Sequence, residues 1–286
     1  MQIISILQDF PYVFITLATI IGLIVGRFLN VVIYRLPEMM KRSWLRQCAE
    51  LRGEPLESVP SFNLFIPRST CIHCGHKITA FENIPIISYI VLRGHCSQCH
   101  ANISLRYPAV EATTALLSGF VAWHFGFSII AVAALFFVWA LIALAVIDIN
   151  TQLLPDDITL PLLWLGLIVN MDNGFTTILS AVMGAILGYL SLWSIYWSFK
   201  IITGKEGMGY GDFKLLSAIG AWLGWNMLPL VILFSSLAGA IIGIGLIIAT
   251  KFRKNLPMPF GPYLVVGALI ALFWGEYLNL AYLGLF

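Results

Sequence analysis

Hydrophobic residues in this chain come in long blocks. Eight apolar stretches lie at residues 10–34, 109–127, 129–148, 158–170, 176–199, 213–225, 229–250 and 261–283, and one sizeable polar segment, 35–108, separates the first from the rest. Six blocks reach the roughly 17–25 residues that a membrane-crossing helix needs. The blocks at 158–170 and 213–225 have 13 residues each and fall short. The pattern predicts an all-α polytopic membrane protein with about eight transmembrane helices, or six if the short blocks do not cross. The first block carries Asp9 ahead of it and no basic n-region, so it reads as a retained span and not as a cleaved signal peptide. The expected layout is a first transmembrane helix in 1–34, a cytoplasmic domain in 35–108, and a core of about seven helices in 109–286.

Basic residues give this pattern a direction. Nine fall between Arg35 and Arg106, three (Lys200, Lys205, Lys214) flank the loop near 205, and three (Lys251, Arg253, Lys254) follow the seventh block. The alternate loops, near 127, 172 and 227, have none. The positive-inside rule makes the basic side cytoplasmic and sends both termini outward. The remaining basic residue, Arg27, lies within the first block near its inner end, where it can snorkel to the headgroups. Composition agrees with a bilayer protein: 59% of residues are hydrophobic and 10% charged, against roughly 25% charged in soluble domains. A net charge of +2 gives no reason to expect a nucleic-acid partner. Nothing in the sequence specifies an oligomeric state.

The polar segment holds all five cysteines, four of them paired as Cys71-Ile72-His73-Cys74 and Cys96-Ser97-Gln98-Cys99, with 21 residues between the pairs. Two C-x2-C turns each aim two thiolates at one ion, which suits a tetrahedral four-cysteine zinc site. Two disulfides are the other reading, disfavoured by the reducing cytosol in which the charges place this segment. Four protein ligands leave no open position, so the zinc would be structural. His73, His76, His95 and His100 crowd the knuckles, and one of them could replace a thiolate. Cys48 stands as a lone thiol.

Two aspartates close the argument for chemistry. Asp148 ends the apolar run 140–147, and Asp212 ends Gly207-Met208-Gly209-Tyr210-Gly211. An ionisable group at a membrane boundary is costly without a function. Asp148 sits at a helix end, where the dipole disfavours a carboxylate, so capping does not explain it. The topology puts both groups at the same membrane face, and two carboxyl groups that meet can share one proton and activate a water. Gly209 and Gly211 permit backbone conformations closed to other residues and clear space for an extended peptide. Asp156 and Asp157 follow Pro155 and read as N-terminal caps of the next helix. Lys214 either snorkels or stabilises an ionised Asp212.

The chain strongly resembles the bacterial type IV prepilin peptidases, membrane aspartic proteases of the GxGD type that are also called leader peptidase/N-methyltransferases. The resemblance is nearly full length and rests on Leu29-Asn30-Val31-Val32-Ile33-Tyr34-Arg35-Leu36-Pro37, Met39-Met40 with Trp44, and both cysteine knuckles. It continues through Arg106-Tyr107-Pro108 with Glu111, Asp148 with Leu154-Pro155-Asp156, residues 204–214 around Gly209-Tyr210-Gly211-Asp212, and Pro259-Phe260-Gly261-Pro262. It implies that Asp148 and Asp212 are the catalytic residues, in a loop that Gly209, Gly211, Lys214 and Asp156 support. The implied partners are prepilins and pseudopilins with short basic leaders, and the lipid bilayer of the bacterial inner membrane. The resemblance further implies methylation of the new N-terminus from S-adenosylmethionine, with Gly94 at a position associated with that step. The chain departs from the family pattern at Arg27, Ile72 and His95. A peptidase without methyl transfer, a cation transporter and a non-enzymatic assembly factor are the competing readings. The transporter predicts charges in mid-span and an internal repeat, which the sequence lacks.

Overall fold

The computed structural model describes residues 9–53, 62–68, 70–71, 73–79, 81–250 and 259–283; Ile72, Lys251, Arg253, Lys254 and both chain ends lie outside them. Nine α-helices occur among the described residues. They are α1 (Pro11–Arg52), the short α2 (Ile87–Val91), α3 (Arg106–Phe125), α4 (Ile129–Thr151), α5 (Asp156–Val169), α6 (Ile178–Thr203), α7 (Tyr210–Leu223), α8 (Leu228–Thr250) and α9 (Gly261–Leu283). A helix therefore occupies each of the eight apolar blocks. Five of these helical segments are long and apolar enough to cross a membrane: Pro11–Arg52, Ile129–Thr151, Ile178–Thr203, Trp225–Gly245 and Gly261–Ala281. The protein is thus a multi-pass membrane protein. Helices α5 and α7 have 14 residues each, about 21 Å at 1.5 Å per residue. Helix α3 has the length, but polar side chains at Glu111, Thr114 and Ser118 are buried along it.

The apolar stretch of α1 ends near Tyr34, yet the helix continues to Arg52 and is closed by Gly53 in the left-handed conformation, φ 68°. Charge does not break a helix. Arg42 pairs with Glu38 at 2.9 Å and Arg46 with Glu50 at 3.8 Å, both at the four-residue spacing that supports one.

The chain divides into two compact units, Met1–Ala143 and Leu144–Phe286. In the first, α1 packs along α3. Gly22 and Gly26, four apart, make the approach close: a Cβ at Gly26 would fall 2.8 Å from the Glu111 Cα. The cysteine-bearing segment folds back onto α1, where Arg35 donates to the Asn63 carbonyl at 2.9 Å and the Arg42 guanidinium lies 4.1 Å from the Phe62 ring centre.

Arg27 has partners within the fold. Its guanidinium pairs with the buried Glu111 at 3.1 Å and donates to Asn83. The pairing wins because Glu111 is 1% exposed and needs a cation.

In the second unit α7 is the buried centre, packed against α5, α6 and α9. Gly184 and Gly188 of α6 again stand four apart. A Cβ on Gly184 would strike the Gly220 carbonyl oxygen, and one on Gly188 would sit 2.7 Å from that of Leu216. Backbone-to-backbone contact of this kind fixes the depth of α7, and with it Asp212.

Candidate functional site

Both sequence-predicted aspartates belong to the second unit, and both are buried. Asp148 is carried near the end of α4 and is 5% exposed; Asp212 lies in the first turn of α7 and is 6% exposed. Asp148 Oδ2 accepts the backbone N–H of Gly261, the first residue of α9, at 2.9 Å. The unfavourable end of its own helix is thereby offset by the favourable start of another. A Cβ at position 261 would fall 2.7 Å from the same oxygen, so only glycine lets the amide approach this closely.

Asp212 is held differently. Its N–H donates to the Gly209 carbonyl at 3.2 Å, while its side-chain Oδ1 is buried with no hydrogen-bond partner among the described residues. A carboxyl oxygen buried without a partner is costly. Leu154, in the α4–α5 turn, links the two supports. Its Cβ would be 2.8 Å from a Cβ on Gly211, and its Cδ2 3.4 Å from one on Gly261.

The supporting residues depart from their expected roles in three ways. Gly209 is extended (φ −84°, ψ 150°) as the N-cap of α7, and Gly211 lies within the helix, so neither takes a left-handed conformation. Gly211 is needed for the close approach of Leu154 instead. Lys214 does not reach for Asp212; its Nζ contacts both oxygens of Asp156 at 2.8 and 2.7 Å. Asp156 is the first residue of α5 but makes no side-chain cap, because Pro155 holds the N-cap position. Asp156 and Asp157 still lie in the first turn, where negative charge is favoured. At the start of α7, Tyr210 packs between Tyr196 and Phe213 with ring centres 5.3 and 5.4 Å apart.

Gly261 and Leu154 received no role from the sequence alone, although both stand in the strings that carry the family resemblance. A glycine opening an apolar block, as Gly261 does, was the available signal.

In the first unit the sulfurs of Cys71, Cys74, Cys96 and Cys99 all lie within 4.8 Å of one another. Cys71 and Cys99 are 3.7 Å apart, and Cys74 and Cys96 4.0 Å. Thiolates bound at 2.3 Å around a tetrahedral zinc have sulfurs about 3.8 Å apart. A disulfide needs about 2.04 Å. The four residues fit a metal ion, and no histidine joins their group among the described residues.

The two knuckles are built alike. The Cys71 N–H donates to His76 and the Gly75 N–H back to Cys71, both at 2.9 Å; the Cys96 N–H donates to Ala101 at 2.9 Å and the His100 N–H back to Cys96 at 3.1 Å. Gly75 and His100 take the matching left-handed positions, φ 70° and 54°. Glu82 ties the knuckles together. It bonds to Ser97 of the second, to Thr79, and to His76 beside the first. Gly94 has a local reason to be glycine: φ is 72°, and a Cβ would fall 2.7 Å from the Tyr89 hydroxyl. Cys48 is free and exposed.

Comparison with known proteins adds a further finding. The model for the bacterial peptidase A24 N-terminal domain matches residues 20–125, and that for the type IV leader peptidase family matches residues 135–244. A prepilin leader peptidase/N-methyltransferase of Stutzerimonas stutzeri is 53% identical over 281 residues, covering 98% of this chain and 97% of that protein. Proteins of the same name from Pseudomonas aeruginosa and Aeromonas hydrophila are 51% and 50% identical over 284 and 283 residues. The Pseudomonas alignment covers 99% of this chain and 98% of the relative; the Aeromonas alignment covers 98% of each. No solved structure matches the chain at a significant level.

Proposed function

The chain belongs to the type IV leader peptidase family, and on that footing we propose that it removes the leader from prepilins and pseudopilins with Asp148 and Asp212, then methylates the new N-terminus from S-adenosylmethionine. The observation that carries the hydrolytic half is the packing of Leu154 against both Gly211, the neighbour of Asp212, and Gly261, whose amide holds the Asp148 carboxylate. A water held by the pair attacks the scissile carbonyl. The ionised aspartate takes the proton of the water. The protonated one polarises the carbonyl and then donates to the leaving amine. The pair shares one titrating proton, so the two roles belong to the dyad and not to a single residue.

In this reading the chain is an inner-membrane enzyme with eight spans. The active site and the cysteine-bearing segment 35–108 face the cytoplasm, residues 109–286 form the protease core, and the termini are periplasmic. The basic side of the charge pattern supports that orientation. Zinc on Cys71, Cys74, Cys96 and Cys99 cross-links the two knuckles structurally. The methyl donor is a co-substrate, and the local geometry of Gly94 accounts for that glycine without it.

The test is purified protein in liposomes, given prepilin and S-adenosylmethionine labelled in the methyl group. The expected products are free leader and a labelled mature N-terminus. Leader release without label would leave a peptidase alone, and intact prepilin would reject the proposal.

A further inference from the structure

The cysteine-bearing segment is not wholly a water-facing domain. Its stretch Phe81–Val91 is bonded to residues that lie inside apolar helices. Asn83 accepts from Arg27. Glu111 accepts the N–H of Ile86 at 2.8 Å, and Ile86 is turned to φ 58°, an uncommon conformation for a branched residue, where it makes that bond. Arg27 precedes Tyr34, the end of the apolar stretch, by seven residues, about 10 Å along the helix. Beside it on α1 stand exposed Ile24 and Phe28, the kind of surface that meets lipid. The segment is therefore pinned beside the apolar stretch of α1, about 10 Å short of its end.

Its own side chains match that depth. Phe81 is 83% exposed, Ile87 58%, Ile90 67% and Val91 72%. Four large apolar groups on eleven residues would be a costly patch in water. Charge at the edges suits a bilayer as well. Between residues 61 and 110 the only acid is Glu82, and it is turned inward on Ser97, Thr79 and His76. Arg93, two residues beyond Val91, is exposed and stands where a headgroup phosphate would meet it.

We propose that Phe81–Val91 is an interfacial wedge, sunk into one leaflet with Phe81, Ile87, Ile90 and Val91 against phospholipid acyl chains. The Arg27–Glu111 pair anchors the wedge from inside the helix pair, and the wedge holds the cysteine cluster at the membrane surface. This inference goes beyond the hydrolytic reading and does not depend on it.

A photo-crosslinking amino acid placed singly at Phe81, Ile87 or Ile90 of the full-length protein in phospholipid vesicles tests the wedge. The controls are the same group at Ile24, expected in lipid, and at Leu51, expected in water. Adducts with the mass of one phospholipid at 81, 87 and 90, as at 24 and unlike 51, are the predicted result. Lipid adducts at Ile24 alone would overturn it. Added prepilin that replaces lipid in the adducts would show that the face receives the substrate helix instead. Cross-linked dimers would show that a second copy covers it. Glu111→Gln, combined with the probe at Ile90, should reduce the lipid adduct, because the anchor on the Ile86 amide is weakened; an undiminished adduct would remove Glu111 from the account.

Discussion

The cysteine cluster and the aspartate site are built by opposite means. Each knuckle is local: a few residues, two backbone hydrogen bonds and one left-handed turn aim two sulfurs. The pattern that makes it is written in the sequence spacing. The aspartate site is assembled from afar. Asp148 and Asp212 stand on different helices, and Leu154 links their supports by packing against Gly211 and Gly261. A local site survives changes in its surroundings but not in its ligands. A site made by packing is sensitive to both.

The largest effect is expected at the carboxylates. Asp148→Asn or Asp212→Asn should each lower leader cleavage by roughly 10³-fold or more, read as the rate of prepilin processing, with methylation of pre-cleaved pilin as the check that the fold persists. Substantial cleavage by either variant would remove that residue from the mechanism. Next comes packing. Gly261→Ala places a methyl group 2.7 Å from Asp148 Oδ2, and displacement on that scale costs about 10²-fold in rate. Unchanged processing would mean that the amide contact is incidental.

The local site offers the contrasting experiment. Wild-type protein should bind about one zinc per chain, and Cys71→Ser with Cys96→Ser should bind none. Metal analysis decides this, and zinc retained by the variant would put the ligands elsewhere. The smallest effect is reserved for the exposed pair Lys214–Asp156, whose side chains are 33% and 51% exposed. Asp156→Asn should change thermal stability by no more than about 1 kcal/mol and processing by less than about tenfold. A loss comparable to that of Asp212→Asn would promote Asp156 to the chemistry.

The same contrast explains what the sequence made legible. Each of the eight apolar blocks holds a helix, and five helical segments are long and apolar enough to span, because a span demands a run of apolar residues that can be counted. The four cysteines and the two aspartates were visible by spacing and by being out of place. The continuation of α1 to Arg52 was not, since hydropathy marks the membrane and not the helix. The Gly261 amide on Asp148 spans 113 residues, and no local rule connects them. Lys214 is two residues from Asp212 and yet pairs with Asp156, because side chains two apart on a helix do not face each other. The partner of Arg27, Glu111, is 84 positions away and was out of view as well.

The most direct measurement is a double-substitution cycle on processing rate, with Asp148→Asn, Asp212→Asn and the two combined. Two carboxyl groups acting on one water form a single machine, so the combined variant should be no slower than either alone. Losses that multiply, each residue contributing independently of the other, would contradict a shared centre.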